Sequence, residues 1–259
     1  MAVAKVWNGS EWVPTKWKTH NGSEWIEQSK VWDGSEWVPI KGAPPVLFDA
    51  VGAGGSGKSA EISNHFSWTH TASGEGRAVV VSVAGQAFGD ITGITATYGD
   101  TPMTALTERG FNNRSSGRTQ QFILLNPPTG AQTVQVTVTR SEGVVGASYA
   151  IANSVSYNHV GAYTQGASSH GIGASRSLTV TTAGEGDMVV QAFGHQDSAG
   201  MSDYSQTQRS NLPGSDRPGG FIPVTLLIGD SDEGDNNISF TATGIETYWS
   251  GVSVILHPA

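Results

Sequence analysis

Three near-copies of one short motif open the chain. They are Lys5-Val6-Trp7-Asn8-Gly9-Ser10-Glu11-Trp12-Val13-Pro14, Lys18-Thr19-His20-Asn21-Gly22-Ser23-Glu24-Trp25-Ile26 and Lys30-Val31-Trp32-Asp33-Gly34-Ser35-Glu36-Trp37-Val38-Pro39. A tandem repeat restricts the fold strongly, because each copy must be the same structural unit. Each copy reads as a β-hairpin. Asn-Gly or Asp-Gly supplies the positive φ of a tight turn, and β-prone arms flank it. The aromatic residues on either side of the turn are placed to pair across the strands. The middle copy has His20 where the others have Trp7 and Trp32. One such hairpin is too small to stand alone in water. The three are therefore expected to pack on each other, on a second copy of the chain, or on another protein. The candidate assembly residues are Trp7, Trp12, Trp17, Trp25, Trp32 and Trp37, six of the eight Trp in the chain.

Gly42-Ala43-Pro44-Pro45 reads as a linker, residues 42–45, between a hairpin domain, 1–41, and a second domain, 46–259. The second domain reads as short strands separated by turns. The expected strands are Val46–Val51, Ala60–His70, Arg77–Val83, Gly93–Tyr98, Gln120–Leu125, Thr133–Thr139, Gly146–Ile151, Arg176–Thr182, Asp187–Gly194, Phe221–Ile228, Asn237–Thr243 and Tyr248–Leu256. Thr133 to Thr139 alternates apolar and polar residues without a break. No segment has a helical apolar stripe. The expected fold class is all-β: a tandem hairpin repeat followed by a jelly-roll-like β-sandwich.

The sandwich repeats itself internally. Thr71-Ala72-Ser73-Gly74-Glu75-Gly76-Arg77-Ala78-Val79-Val80 resembles Thr181-Thr182-Ala183-Gly184-Glu185-Gly186-Asp187-Met188-Val189-Val190, 110 residues on. Gly146-Ala147-Ser148-Tyr149-Ala150-Ile151 resembles Gly251-Val252-Ser253-Val254-Ile255-Leu256, 105 residues on. The physical reading is a duplicated strand set forming one two-sheet domain.

Charge and composition close off several function classes. The net charge is −8, with only 14 Lys and Arg in 259 residues, too few and too scattered for a nucleic-acid face. Residues 1–41 hold five basic and five acidic residues, so the whole excess lies in the second domain. Cys is absent, which excludes disulfides, zinc-thiolate sites and a Cys nucleophile. No apolar run reaches the roughly 18–20 residues of a membrane helix, and no hydrophobic signal core opens the chain. No membrane partner and no cofactor are expected.

Four segments carry chemical suggestions. Gly52-Ala53-Gly54-Gly55-Ser56-Gly57-Lys58-Ser59 fits the P-loop spacing, in which amides cradle phosphates and Lys58 reaches them. That chemistry needs a helix directly after the loop. The following Ala60–His70 instead has a strand-like spacing, so the segment is expected to be a flexible loop. Asp230-Ser231-Asp232-Glu233-Gly234-Asp235 is an acidic stretch that either holds calcium or is a solvated turn. The seven His, His20, His65, His70, His159, His170, His195 and His257, show no metal-ligand spacing. No nucleophile elbow and no singled-out carboxylate pair appears, so no enzyme is expected. Arg109-Gly110-Phe111-Asn112-Asn113-Arg114-Ser115-Ser116-Gly117-Arg118 is the one basic cluster. It is either a solvated loop or a contact for an anionic glycan or a neighbouring subunit. The polar, Gly/Ser-rich segments Gly161–Ser175 and Asp197–Gly220 read as long loops, where recognition would be built.

The Lys-Val-Trp-Asn/Asp-Gly-Ser-Glu-Trp-Val hairpins resemble those opening minor tail proteins of phages that infect actinobacteria. Further along come Phe66-Ser67-Trp68-Thr69-His70-Thr71, Arg77-Ala78-Val79-Val80-Val81, and Ile94-Thr95-Ala96-Thr97-Tyr98-Gly99-Asp100-Thr101-Pro102-Met103-Thr104. Leu125-Asn126-Pro127-Pro128-Thr129-Gly130 and Gly186-Asp187-Met188-Val189-Val190 follow. This succession is similar to a β-sandwich domain of phage tail and bacterial surface proteins. The resemblance implies a virion structural or adhesive role, with other virion proteins as partners and no catalytic residues. It implies a homo-oligomer, a trimer by analogy with elongated virion attachments, and possible use of the loops on host cell-wall glycans. A tail location is favoured, with a capsid decoration protein or head fibre as the alternative within the virion. A carbohydrate-binding or adhesin module outside any virion is the alternative beyond it.

Overall fold

The computed structural model divides into two compact units, Met1–Pro44 and Pro45–Ala259. It describes the six short strands and Ser10 of the first unit, and residues 44–181, 186–214, 223–231 and 237–259. In the first unit, β1 (Lys5–Trp7) pairs with β2 (Trp12–Pro14), β3 (Lys18–His20) with β4 (Trp25–Glu27), and β5 (Lys30–Trp32) with β6 (Trp37–Pro39). All three pairs are antiparallel in the same register: Trp7 stands opposite Trp12, His20 opposite Trp25, and Trp32 opposite Trp37. The side chains of these strands, and Trp17, lie outside the described residues.

The second unit is an all-β sandwich built from two halves. The first half contains β7 (Leu47–Val51), β8 (Gly55–Ser59), β9 (Ser63–Ala72), β10 (Ala78–Ala87), β11 (Ile91–Tyr98), β12 (Thr101–Pro102), β13 (Thr104–Gly110), β14 (Gly117–Leu125), β15 (Gly130–Arg140) and β16 (Ser148–Asn158). The second contains β17 (Val160–Val180), β18 (Met188–His195), β19 (Thr207–Leu212), β20 (Thr225–Ser231) and β21 (Ile238–Pro258). A single residue joins them: His159, at φ 63°.

The duplication is visible in strand order. One sheet runs β13-β14-β10-β16-β7, with β8 continuing β7 along β16; its counterpart runs β19-β20-β18-β21-β17. A second sheet of the first half runs β12-β11-β15-β9. Its counterpart is the far end of the β17–β21 hairpin, where Ser175–Val180 pairs with Ile238–Thr243.

The layer count differs from one two-sheet domain, because each half is itself a sandwich and the two stack back to back. Val79, Val81 and Val83 of β10 pack outward against Val134, Val136 and Val138 of β15. Ala78, Val80 and Ala84 of the same strand pack inward against Val190 and Ala192 of β18 and Val252 and Val254 of β21. The other face of β18, with Val189 and Phe193, meets Leu178 and Phe240 at the folded-over end of the hairpin. Strands β10 and β18 are therefore buried at every position. Fully burying one such aliphatic side chain stabilises by about 1.5–3 kcal/mol, so these inner strands hold the halves together. The outer strands β9 and β15 alternate instead, as a sheet with one solvated face must.

The last glycine of each Gly-Glu-Gly corresponds in backbone conformation. Gly76 and Gly186, 110 residues apart, both have positive φ. The second correspondence is out of register. Ala78 faces Tyr157 and its counterpart Met188 faces Leu256, so Leu256 matches Tyr157 rather than Ile151, six residues earlier. Both strands are buried on both faces and rich in Gly, Ala, Ser and Val, so their sequences carry no phase by which to align them.

Candidate interaction site at the seam between the halves

The P-loop-like segment is a strand. Gly52 N donates to Ser154 O at 2.8 Å, Gly54 turns the chain at φ 72°, and β8 then pairs with β16 from Ser59 opposite Ser148 to Gly55 opposite Ala152. An extended ladder strand points its amides alternately to either side, so they do not converge on one anion. The glycines are there for close approach. A Cβ on Gly52 would fall against Ser154 Oγ and 2.8 Å from Trp68 Nε1; one on Gly55 would lie 2.9 Å from the Trp68 ring. In the other half, β17 occupies the same place, and Gly166 sits against Ser253 as Gly52 sits against Ser154. That counterpart strand has no Lys-Ser pair. The Gly/Ser pattern belongs to a duplicated edge element rather than to phosphate chemistry.

Beneath Gly52 lies a buried polar cluster. Trp68 Nε1 donates to Ser154 Oγ at 2.9 Å, and Ser154 Oγ lies 2.9 Å from His70 Nδ1. Whether Ser154 donates to or accepts from His70 is set by the imidazole tautomer, and His70 Nε2 is buried without a partner among the described residues. Burial pushes the His70 imidazole down to about 4, with the Asp49 charge opposing. Asp49 is bonded to Ser73 N at 2.9 Å, Ser73 Oγ at 2.5 Å and Ser156 Oγ at 2.8 Å. Burial raises its pKa, but these bonds outweigh that and hold the carboxyl below its ordinary value. The carboxylate serves the serines rather than His70, and Ser154 is fully buried. The cluster of Trp68, Ser154 and His70 packs beneath Gly52, with no hydroxyl at the surface.

The acidic stretch loses its first candidate ligand. Asp230 is buried, accepts the Tyr157 hydroxyl proton at 2.7 Å and pairs with Arg209 Nε at 2.7 Å. The Arg209 guanidinium lies 3.7 Å over the Phe48 ring. Burial and the neighbouring Asp230 raise the Tyr157 hydroxyl well above its ordinary value, so it stays a donor. Residues 232–235 lie outside the described residues. Among the described residues no cluster of three metal-ligating side chains occurs.

His195 is consumed in the same way. Arg176 Nη2 donates to His195 Nδ1 at 2.6 Å, and His195 Nε2 donates to Ala199 O at 2.9 Å. Burial and the Arg176 charge bring His195 down to about 4. Arg176 itself is buried, and its guanidinium also bonds the carbonyls of Ala174 and Ile245.

The arginine segment is neither loose nor uniform. Phe111 anchors it, buried in the core between the halves, with Asn112 and Asn113 at φ 48° and 61° completing a tight turn (Phe111–Asn113). Arg118 turns back to Glu108 Oε2 at 2.7 Å and Ile91 O at 2.6 Å. Arg109 and Arg114 reach across to the second half. Arg109 donates to His170 Nδ1 through Nε at 3.0 Å and Nη2 at 2.8 Å. Arg114 lies 3.8 Å over the Tyr248 ring. Farther along the seam Thr107 Oγ1 donates to Gln165 Oε1 at 3.0 Å. His170 stands opposite Ser250 and Ile172 opposite Tyr248, so these four share one face of the β17–β21 pair. Burial and the Arg109 charge keep His170 below its ordinary pKa.

Gly161–Ser175, expected as a loop, is the first part of β17, and β19 lies within Asp197–Gly220. These are edge strands of Gly, Ser and polar residues, whose exposed pattern shows no period. His170 and Tyr248 were therefore not legible as partners of the arginines. The one signal was three Arg within ten residues of an acidic chain.

No protein-family profile matches the sequence, and no curated protein matches it. A solved structure of infectious bursal disease virus Gx strain is 11% identical over 94% of this chain and 51% of that one, with a TM-score of 0.27. The BSP domain of a biofilm-associated protein is 9% identical over 88% and 52%, with a TM-score of 0.23. The chain thus spans about half the length of either. Overlaps this loose, between chains this different, support no inference about the function.

Proposed function

We propose that this chain is a non-enzymatic structural protein of a phage virion, with the hairpin unit serving as an assembly module and the sandwich as a projecting body. The observation that carries this reading is the triple hairpin with one shared register, which repeats a Trp–Trp, His–Trp, Trp–Trp pairing of positions three times along the chain. Repeated small units that cannot each bury a core are suited to docking on a repetitive surface or on one another. A minor tail protein is the favoured place, through the sequence resemblance of the hairpins; a capsid decoration protein or head fibre is the alternative. A homotrimer is the expected assembly. In the sandwich, the buried Asp230 takes both the Tyr157 hydroxyl and Arg209, and His195 is bonded through both ring nitrogens, which supports a structural body.

Deleting residues 1–41 tests the reading. The truncated protein is expected to fold and to lose both oligomerisation and incorporation into particles. Normal incorporation of the truncated protein would overturn the assembly role. Cryo-electron microscopy of the virion separates the locations: density on the head with none on the tail would remove the tail assignment. Absence from particles altogether, with glycan binding intact, would favour an adhesin outside the virion.

A further inference from the structure

We infer that the seam formed by Arg109 and Arg114 on one half and His170, Tyr248 and Gln165 on the other is a binding site for oxyanion groups, carboxylate or phosphodiester, on a polysaccharide. This goes beyond the proposed virion role and rests on it only for the sandwich being a projecting, exposed body.

The seven described arginines divide sharply by what they do. Arg77, Arg140 and Arg176 serve backbone carbonyls, Arg118 pairs with Glu108, and Arg209 pairs with Asp230. Among the described residues, no carboxylate pairs with Arg109 or Arg114. Two guanidiniums left without an anion are notable in a chain whose net charge is −8. Guanidinium is the group that binds carboxylate and phosphate through paired N–H donors.

Both groups are already held in place. Arg109 uses Nε and one donor of Nη2 on His170, leaving Nη1 and the rest of Nη2 unclaimed by any bond among the described residues. Arg114 lies over the Tyr248 ring, 3.8 Å from its centroid, and it is exposed. Restricting two long side chains beforehand lowers the ordering cost of binding. Their supports, His170 and Tyr248, are diagonal neighbours on one sheet face, roughly 7–8 Å apart. Resting on these neighbours, Arg109 and Arg114 place two positive groups along one face of the sheet. Ile172, 59% exposed on the same face, offers apolar surface to the C–H face of a sugar. Gln165 keeps its amide donors for a hydroxyl, because its oxygen takes the Thr107 proton.

The chain's own charge selects among polyanions. Nucleic acid binding draws on many phosphate contacts, and an acidic body with two free guanidiniums does not supply them. A polysaccharide with spaced charges separated by neutral sugar matches both the small number of cations and the apolar surface beside them.

The test uses the full chain with polygalacturonate as the carboxylate probe, poly(glycerol phosphate) as the phosphate probe, and dextran as the neutral control. Binding to either charged polymer, weakening as salt is raised and absent with dextran, is the expected result. The polymer that binds identifies the oxyanion. Arg109→Gln and Arg114→Gln should each weaken binding by about tenfold, as loss of a charge-assisted hydrogen bond does. Lys58→Gln, which removes one positive charge elsewhere, should leave binding within twofold. Arg114→Lys keeps the charge but loses the planar stack on Tyr248, and should fall between wild type and Arg114→Gln. It also serves if the glutamine variants fold poorly. No binding to either charged polymer, or an equal loss with Lys58→Gln, would overturn the site. Particle incorporation is scored separately: incorporation without polymer binding refutes the site alone, and polymer binding without incorporation refutes the virion reading alone.

Discussion

The backbone amide of Val46 donates to the carbonyl of Gly186 at 3.0 Å. The duplicate of this bond is Val160 N to Gly76 O at 2.7 Å. Val46 leads into β7 of one half and Val160 opens β17 of the other, and each bonds a positive-φ glycine of the opposite half. The two halves are thus clasped reciprocally at the point where His159 joins them, and His159 Nδ1 adds a contact to Pro45 O at 3.2 Å. The core between the inner sheets, including Val80, Val155, Val190 and Val254, exists only when both halves are present.

Two consequences follow for folding. Residues 46–259 should unfold in one cooperative transition, read by fluorescence and circular dichroism at the same denaturant concentration. Residues 46–158 expressed alone should aggregate, because one whole face of β10 and β16 would be left in water. Gly76→Ala and Gly186→Ala should each cost about 1–2 kcal/mol, since both positions have positive φ. Chemical denaturation of each variant measures it.

Gly52→Ala should destabilise by about 1–3 kcal/mol, because its Cβ would press on Ser154, Trp68 and His70. Lys58→Ala, at an exposed strand position, should change stability by less than about 0.5 kcal/mol. ATP with magnesium should leave Tm unmoved in both. A P-loop would reverse this ranking, with Lys58 controlling a nucleotide-dependent shift in Tm.

Asp230→Ala should cost about 3 kcal/mol, since it strands the Tyr157 hydroxyl and the Arg209 guanidinium together. Asp230→Asn keeps an acceptor for one of them and should cost less. The Tyr157→Phe and Asp230→Ala effects should not add, because both act on one network. A double-mutant cycle by urea denaturation reads the coupling.

His70 and His195 both sit near 4, well below their ordinary 6.5, because burial disfavours the charged ring. The unfolded chain therefore binds more protons than the folded one between pH 6.5 and 4, and stability must fall as pH falls through that window. Asp49, held below its ordinary value, adds a loss of the same sign that begins only at the acid end of this window and continues below it. A Tm-against-pH curve should slope downward from pH 6.5 to 4. Glutamine, which does not titrate, placed at position 70 or 195 should flatten that slope. An unchanged slope in both variants would contradict the buried neutral imidazoles.

Much of the fold was legible in residue patterns because local chemistry enforces it. Trp7 pairs with Trp12 and Trp32 with Trp37 as the repeat requires, Thr133 to Thr139 alternates because only one face of β15 is buried, and Gly76 and Gly186 recur at positive φ. The rest was silent for a physical reason. Alternation reports burial on one face, so it vanishes in β10 and β18, covered on two faces, and in β19 and most of β17, at sheet edges; β8 alternates in burial, but Gly55-Ser56-Gly57-Lys58-Ser59 has no apolar residue to show it. Four layers, the six-residue difference between Tyr157 and Ile151 as the counterpart of Leu256, and a strand in place of a P-loop were invisible on that account. So was the seam. Arg109 and Arg114 stood out as charges in an acidic chain, but His170 lies 61 residues beyond Arg109. Only the packing of one half on the other brings that imidazole and the Tyr248 ring under the guanidiniums.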